Sequence, residues 1–409
     1  MKKSLTFYIV DDDRITLKRI QKILEGKGHR VLFNSSSVGA LPEIIRSRPD
    51  CVLTDMMMPE LDGLGLVKKL RQQARLEGMK IIVVSSKTYE YDRQRALDFG
   101  ADGYITKPFD ASALDEQIRK ILADRLEIFF WGVHGTLPVP GAQTVRYGGN
   151  TSCVSVSLSR GQFFIFDAGT GIKALSDHIL KSKRPLVGAK IFISHPHWDH
   201  INALPFFAPL YIPGNEFEIF GPAQGDISVR EVLSAQMDGV SFPIRIKEFG
   251  ATVSFRDLSE ERLTMGDVQI STLLLNHPGN CLGYRLAYKN RVVCYITDNE
   301  LYPAATPFHN EHYLQRLTRF VMGADVLITD TTYLDEEYAA KIHWGHSSVS
   351  EVVALADRAQ VKTLYIFHHD PDHTDDTIDA KLVQAREMLE ARKSTTVCQA
   401  PVEKIAVTV

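Results

Sequence analysis

Residues 193–200 read ISHPHWDH, which places three histidines and an aspartate within six positions. Four metal-binding side chains at this density constrain the fold more than any other feature of the chain. The preceding KIFIS is a buried-strand pattern, so His195 stands at a strand end. His195 and His197 can face one side of an extended loop, and Asp199 and His200 follow where a helix can begin. A four-coordinate ion needs all four ligands in one shell, and so tight a loop is poorly shaped to wrap them around one ion. Two ions sharing the cluster are easier to accommodate, but they need further ligands, each delivered by another strand end. The chain offers His277 in TLLLNHPGN, Asp298 in VVCYITDNE, and His368 and His369 in TLYIFHHDPDH. His346, in HWGHSSV, lies in a glycine-containing turn ahead of a helix pattern.

With 409 residues the chain exceeds one ordinary core, so two or more domains are expected. No apolar run approaches the roughly 20 residues that span a bilayer, so no membrane partner is expected. The opening MKKSLTFYIVDDD reads as a first strand rather than a signal peptide. Cys51, Cys153, Cys281, Cys294 and Cys398 form no CxxC pair, which suits a reducing, cytoplasmic setting. Net charge is −3, with the first 123 residues net basic and the remainder net acidic. The larger part therefore lacks the basic excess of a nucleic-acid surface, and nucleic acid is not an expected partner.

Up to residue 123, strand and helix patterns alternate. LTFYIV, HRVLFN, CVLTD, KIIVVSS and GYIT read as strands. Helix patterns fall at about 14–28, 39–47, 64–77, 91–99 and 112–123. Five βα units predict a doubly wound parallel sheet whose sites lie beyond the carboxyl ends of the strands. After residue 127 strand-like runs crowd together, with helix patterns near 172–182, 311–322, 347–359 and 376–392. That is a second α/β domain with antiparallel character. The division is 1–123, a short junction at 124–127, and 128–409. Residues 205–262, including PFFAPLYIPGN and QMDGVSFPIRI, read as a lid or a dimer contact.

In the first domain Asp11 and Asp12 follow the first strand and Asp55 the third, while Ser85 and Lys107 mark the ends of the fourth and fifth. Clustered carboxylates repel, and a hard cation such as Mg2+ relieves that repulsion. It would also neutralise an incoming phosphoryl group, making Asp55 a plausible nucleophile. With Pro59, Gly63 and Lys107-Pro108, this segment resembles a response-regulator receiver domain of the flavodoxin-like class. The resemblance implies Asp55 as phosphoacceptor, Asp11 and Asp12 as Mg2+ ligands beside it, and Ser85 and Lys107 as contacts to the phosphoryl oxygens. It places Tyr104 at the switch aromatic position and implies a sensor histidine kinase as phosphodonor. A homodimer is a further expectation.

VRYGGNTSCV, FDAGTGI, HWDHINALPFF, NHPGNCLGYR, ITDNE and WGHSS give the second domain a different resemblance. It resembles the metallo-β-lactamase fold hydrolases, an αββα sandwich, and within them the RNase Z-like and cyclic-phosphodiesterase-like branch. The resemblance implies that His195, His197 and His277 hold one metal ion and Asp199, His200 and His368 the other. Asp298 bridges them. His369 is a substitute for His368, although the strand-end position favours His368. Asp167 would orient a ligand histidine. Catalysis is expected from His346, as acid toward a leaving oxygen, and from Asp199. A thiolate-free, histidine-rich set suits two Zn2+, with Mn2+ or Fe as alternatives.

Two divalent ions outweigh two aspartates, and a net positive centre matches an anionic phosphodiester. The leading expectation is a two-component response regulator with a phosphodiesterase output acting on a small phosphodiester or cyclic nucleotide. Thioester or lactone hydrolysis and a non-catalytic metal-containing signalling module stay open as alternatives.

Overall fold

The computed structural model describes every residue except 1–3, 74–75, 77–78, 123–125, 159–161 and 182–186, and only the backbone of residue 90. The chain separates into two compact units, the first built mainly on residues up to 125 and the second mainly on residues from 126 onward. Residues 124 and 125 of the expected junction lie outside the described residues, and Leu126 already begins a strand.

In the first unit the strands are β1 (Thr6–Val10), β2 (Arg30–Asn34), β3 (Cys51–Thr54), β4 (Lys80–Ser85) and β5 (Gly103–Thr106). They form one sheet in the order β2-β1-β3-β4-β5, paired in parallel throughout. The helices are α1 (Arg14–Gly26), α2 (Ser37–Ser47), α3 (Gly63–Arg71), α4 (Glu90–Asp98) and α5 (Leu114–Leu122). The period-2 alternation of the strands assigns them to opposite faces. Tyr8, Val10, Val52, Ile81 and Val83 pack with Ala40, Ile44, Val67, Leu70 and Ala96 from α2, α3 and α4. Phe7, Ile9, Leu53, Ile82 and Val84 pack with Leu17, Ile20, Leu24, Leu114 and Ile118 from α1 and α5. The third helix, expected to reach residue 77, ends at Arg71, with residues 74, 75 and 77 of that expectation outside the described residues, and Asp13 caps the first turn of α1 through the amides of Ile15 and Thr16.

The second unit contains two seven-stranded sheets. One joins β6 (Leu126–Gly132), β7 (Cys153–Leu158), β8 (Phe163–Phe166), β9 (Gly188–Phe192), β10 (Glu216–Pro222) and β11 (Thr252–Leu258) in sequence, with β19 (Ala406–Thr408) added beside β6. The other runs through β12 (Arg262–Met265), β13 (Val268–Leu274), β14 (Leu282–Tyr288), β15 (Arg291–Ile296), β16 (Val326–Asp330), β17 (Thr363–Phe367) and β18 (Val397–Gln399). Its helices are α6 (Gly171–Lys181), α7 (Trp198–Ile201), α8 (Val229–Ala235), α9 (Glu311–Val321), α10 (Asp335–Tyr338), α11 (Val349–Arg358) and α12 (Asp375–Ala391). Residue 182 of the expected 172–182 helix lies outside the described residues.

Four layers follow from the packing. Ile172, Leu175 and Ile179 of α6 and Leu233 of α8 cover Ile165, Ile191 and Ile219 on the first sheet. Leu317, Val321, Val352, Val353, Ala385 and Leu389 of α9, α11 and α12 cover Ile296, Leu327, Leu364 and Ile366 on the second. Aromatic rings fill the space between the sheets, with Phe166 5.4 Å from Tyr295 and Phe130 5.1 Å from Tyr365. Residues 205–262, expected as a lid or dimer contact, supply β10, α8 and the edge strand β11.

This architecture gathers strand ends. β8 and β9 run in parallel, as do β15, β16 and β17, while β13 and β15 flank β14 antiparallel to it. The carboxyl ends of β13, β15, β16 and β17 therefore share one edge of their sheet. His277, Asp298 and His368 follow three of these strands, and Asp330 is the last residue of the fourth, β16.

The burial of β17 between β16 and β18, under the helices, sets an expected outcome. Leu364 is fully buried beneath α11 and α12, so Leu364→Ala should destabilise the second unit by about 2–5 kcal/mol in denaturant unfolding. Val383, 52% exposed on α12, should tolerate alanine within about 0.5 kcal/mol. Equal losses at the two positions would contradict the layer assignment.

Candidate functional site

Asp167 leaves β8 at φ 61°, Asp298 follows β15 at φ 45°, and His368 leaves β17 at φ 59°. Left-handed backbone at three non-glycine residues is strained and persists where the surroundings hold it. Here each turn aims a side chain at one place. His195, His197, His277 and Asp298 form one group able to hold a metal ion, and Asp199, His200, Asp298 and His368 form another.

Asp298 belongs to both groups, and its two oxygens divide between them. Oδ2 lies 3.4 Å from His195 Nε2 and 3.6 Å from His277 Nε2. Oδ1 lies 3.1 Å from His200 Nε2 and 3.0 Å from His368 Nε2. Asp199 Oδ2 completes the second group at 3.1 Å from His200 and 3.2 Å from His368. The first group is tied by His277 Nε2 at 3.1 Å from His197 Nδ1. His197 is exposed, whereas the other six side chains are buried or nearly so.

The hydrogen bonds on the outer sides of the rings decide which nitrogens face inward. His277 Nδ1 donates to the Gly345 carbonyl at 2.9 Å, leaving Nε2 for the cluster. Ser194 Oγ gives its proton to Asp167 Oδ2 and so accepts from His195 Nδ1 at 3.0 Å. His195 Nε2 is then a lone pair, buried and without a hydrogen-bond partner. His200 Nδ1 donates to Asp167 Oδ2 at 2.8 Å. Lone pairs and carboxylate oxygens thus converge with no lysine or arginine ion pair, among the described residues, to offset the two aspartates, and such an arrangement is stable around a cation.

The ionisation of the residues carries the same message. Burial pushes His195 well below its ordinary pKa, and burial likewise lowers His197 and His277. Burial opposes charge on His200 too, yet Asp199, Asp298 and Asp167 hold it well above the ordinary value. Burial opposes ionisation of Asp298, but His368, His200 and His195 hold it well below the usual carboxylate range. A proton on His200 supplies part of the positive charge that a metal would supply in its place. The donor set, all imidazole and carboxylate, fits a pair of borderline divalent ions.

Second-layer contacts fix this geometry. Asp167, fully buried, also accepts from Ser194 N at 2.7 Å and from the Tyr295 hydroxyl at 2.8 Å. Its expected role of orienting a histidine corresponds to its contact with His200. A side chain at Gly135 would come within 2.0 Å of the His368 ring, and one at Gly345 (φ +86°) within 2.4 Å of His277 Nδ1. Glu300 accepts from Tyr338 Oη and from the amides of His343 and Gly345, which pins the turn ahead of His346.

His346 stacks 5.0 Å from His368, and its Nδ1 lies 2.9 Å from Asp330 Oδ2. Burial would lower the pKa of His346, but Asp330 raises it to about 9. Asp330, Glu300, Ser194, Thr332 and Tyr295 escaped the sequence reading. Only Asp330 had a usable signal: VLITD ends a buried strand between two others that end in metal-binding residues. His369, weighed as a substitute for His368, is fully buried with both ring nitrogens unpartnered and stands outside both groups.

In the first unit Lys107 Nζ lies 2.6 Å from Asp55 Oδ1 and 2.8 Å from Asp11 Oδ2. Asp55 Oδ2 accepts from Met57 N and Asp11 Oδ1 from Asp13 N. Asp12 is exposed, and the three carboxylates do not form a metal-binding group among the described residues. Asp11 and Asp55 share the single Lys107 ammonium, and burial raises the pKa of Asp11 despite it; a divalent cation would offset the remaining charge. Ser85 Oγ accepts from Lys87 N at 3.3 Å, and the Tyr104 hydroxyl donates to the Lys87 carbonyl at 2.8 Å. Ser85 and Tyr104 therefore converge on one residue of the loop after β4.

Comparison with known proteins follows this division. The family model for the response regulator receiver domain matches residues 7–119, and that for the beta-lactamase superfamily domain matches residues 163–369. The first part is 34% identical over 114 residues to the alkaline phosphatase synthesis transcriptional regulatory protein PhoP of Bacillus subtilis, covering 28% of this chain and 47% of that protein. It is 36% identical over 113 residues to the response regulator MprA of Mycobacterium leprae, covering 28% and 49%. The matched segment thus spans about half the length of these relatives. Among solved structures, the metallo-beta-lactamase fold protein YhfI from Bacillus subtilis superposes with a TM-score of 0.50 at 18% identity, covering 70% of this chain and all of that one. With its match over residues 163–369, the chain belongs to the beta-lactamase superfamily, as a metallo-β-lactamase fold domain preceded by a response regulator receiver domain.

Proposed function

We propose that the second domain is a dinuclear metal-dependent phosphodiesterase and that it is the output of a two-component response regulator. The observation that carries the reading is the division of the Asp298 oxygens between two ligand groups, with the Asp330–His346 pair against the second. His195, His197 and His277 hold one ion, Asp199, His200 and His368 the other, and Asp298 lies between them. Two Zn2+ fit best, with Mn2+ or Fe as alternatives, since no thiolate enters either group. When bound, such ions lower the pKa of water and offset charge on phosphoryl oxygens.

The residues of the chain do the rest. Asp330 fixes the His346 ring through Nδ1, which reserves Nε2 for delivering a proton to the leaving oxygen. Asp199 keeps its carboxylate in place through a bond from Thr136 N at 2.7 Å and contributes charge to the catalytic centre. A carbonyl substrate has less need of a separate acid, which favours small phosphodiesters or cyclic nucleotides over thioesters and lactones. In the receiver, Asp55 accepts the phosphoryl group from a sensor histidine kinase beside Mg2+ held by Asp11, Asp12 and Asp55. Ser85 and Lys107 then contact the phosphoryl oxygens, and Tyr104 reports the change.

The purified chain is expected to carry about two transition-metal ions and to hydrolyse bis-p-nitrophenyl phosphate. Chelation should abolish turnover, and Zn2+ or Mn2+ should restore it. Absence of metal uptake would end the proposal. His346→Ala should lower kcat by about 10²–10⁴-fold while retaining both ions. Loss of metal instead would reassign His346 as a ligand. Phosphorylating the receiver should change the rate of hydrolysis, and Asp55→Asn should remove that change. A rate indifferent to phosphorylation in the wild-type chain would separate the two domains functionally.

A further inference from the structure

Behind His368 the domain buries a lysine. Lys381, on α12, is fully buried, and among the described residues no carboxylate lies within ion-pair distance of it. Its ammonium donates to the carbonyl oxygens of Thr331 at 2.7 Å and Thr332 at 3.0 Å. Burial pushes its pKa down to about 7. An ammonium buried without a direct ion pair is costly, and a methionine of similar length would fill the position without that cost. The two carbonyls are what the lysine holds.

Those carbonyls belong to the segment that leaves β16 for the metal centre. Thr332 Oγ1 lies 2.6 Å from Asp330 Oδ1, 2.7 Å from the His368 carbonyl and 3.2 Å from His368 Nδ1. Its single proton goes to one of the two oxygens, so toward the imidazole it acts as acceptor, and His368 Nδ1 is the donor. That leaves His368 Nε2 unprotonated toward Asp199 and Asp298. Asp330, bonded to the same hydroxyl and to Thr332 N, also holds His346. One two-residue segment therefore sets both a ligand tautomer and the orientation of the acid, and Lys381 clamps that segment from the helix side. His134, His369 and His373 are buried nearby, and burial lowers the pKa of each, to about 4 for His134, while the carboxylates of Glu337, Asp330 and Asp370 act on Lys381 only from beyond ion-pair distance.

We propose that Lys381 is a positioning residue, which acts through Thr332 to fix His368 at the second ion and the Asp330–His346 pair beside it. The proposal rests on the dinuclear reading above. It assigns Lys381 an effect on one ion and not the other, which a merely structural lysine would not have.

The test is metal retention by the full-length protein loaded with Zn2+ and titrated with a chromophoric chelator. His277→Ala and His368→Ala mark which dissociation step belongs to which ion. Lys381→Met should weaken the ion marked by His368→Ala by about 10–100-fold and leave the other within about threefold. Thr332→Val, which keeps the buried ammonium and removes only the hydroxyl, should weaken the same ion. The double variant should lose little beyond the larger single effect, because both substitutions break one relay. Equal weakening of both ions, or effects that multiply, overturns the proposal. An unchanged second ion in Thr332→Val overturns it whether or not Lys381→Met folds. A wild-type chain that binds fewer than two ions refutes the dinuclear reading itself and the proposal with it. Two bound ions without turnover would refute only the phosphodiesterase assignment, and the retention measurement would still decide the role of Lys381.

Discussion

A carboxylate buried among four imidazoles is the interaction on which the second domain depends. Asp298 is 2% exposed and stands within 3.6 Å of nitrogens from His195, His200, His277 and His368. Taking such a group out of water is costly unless opposite charge compensates. Among the described residues no lysine or arginine ion pair reaches Asp199 or Asp298; their ion-pair partners are histidines. The compensation must come from protons on the imidazoles or from cations between them. The left-handed turns at Asp167, Asp298 and His368 are strain that the fold maintains to keep these groups together.

The strain is supported by a second ring of residues, organised around two aspartates. Asp167 binds His200, Ser194 and Tyr295 from the side of the first sheet. Asp330 binds His346, Thr332 and Asn299 from the second. Each orients imidazoles at the face where the sheets meet, and each is itself fully buried and satisfied by donors. The sandwich thus brings one orienting carboxylate from each sheet, and the ligands lie between them. Glycine at positions 135 and 345 is the steric counterpart, since a methyl group at either would occupy the space of a ligand ring.

How much of this was legible in the sequence depended on whether a residue announced its chemistry locally. The HPHWDH run, His277, Asp298 and His368 sit just beyond recognisable strands, and the structure brings all of them into two adjacent groups. The five-unit alternation of the first domain was equally readable, because β1, β3 and β4 alternate between two buried faces. The supporting residues were not. Asp330 ends a strand like many aspartates, and its meaning comes from neighbours 31 and 16 residues away. Lys381 lies in the middle of an ordinary amphipathic helix, and nothing local distinguishes a buried ammonium from a solvated one. β11 has a polar edge pattern with only Leu258 buried, so it carries too little hydrophobic signal to read as a strand. The end of α3 at Arg71 shows the opposite error, a helical pattern that continued past the helix itself.

The two sites of the chain meet the same electrostatic problem by different means. In both, parallel strands deliver carboxylates to one edge of a sheet, where their mutual repulsion has to be relieved. The receiver carries its own cation: Lys107 reaches Asp11 and Asp55 from the end of β5, across the end of β4, and although burial opposes it those acids hold its pKa above the ordinary value. An ammonium on a flexible four-carbon stem can be repositioned without disturbing the backbone. The metal centre sets imidazoles and two aspartates at ligand positions, and the rings of His195, His200, His277 and His368 are each locked by an outer hydrogen bond to a carbonyl, a hydroxyl or an aspartate. Rings held in that way cannot follow a moving charge; they present fixed lone pairs to a fixed cation. The contrast is between an ammonium that the chain supplies on a flexible stem and a set of fixed rings shaped for a cation the chain does not supply.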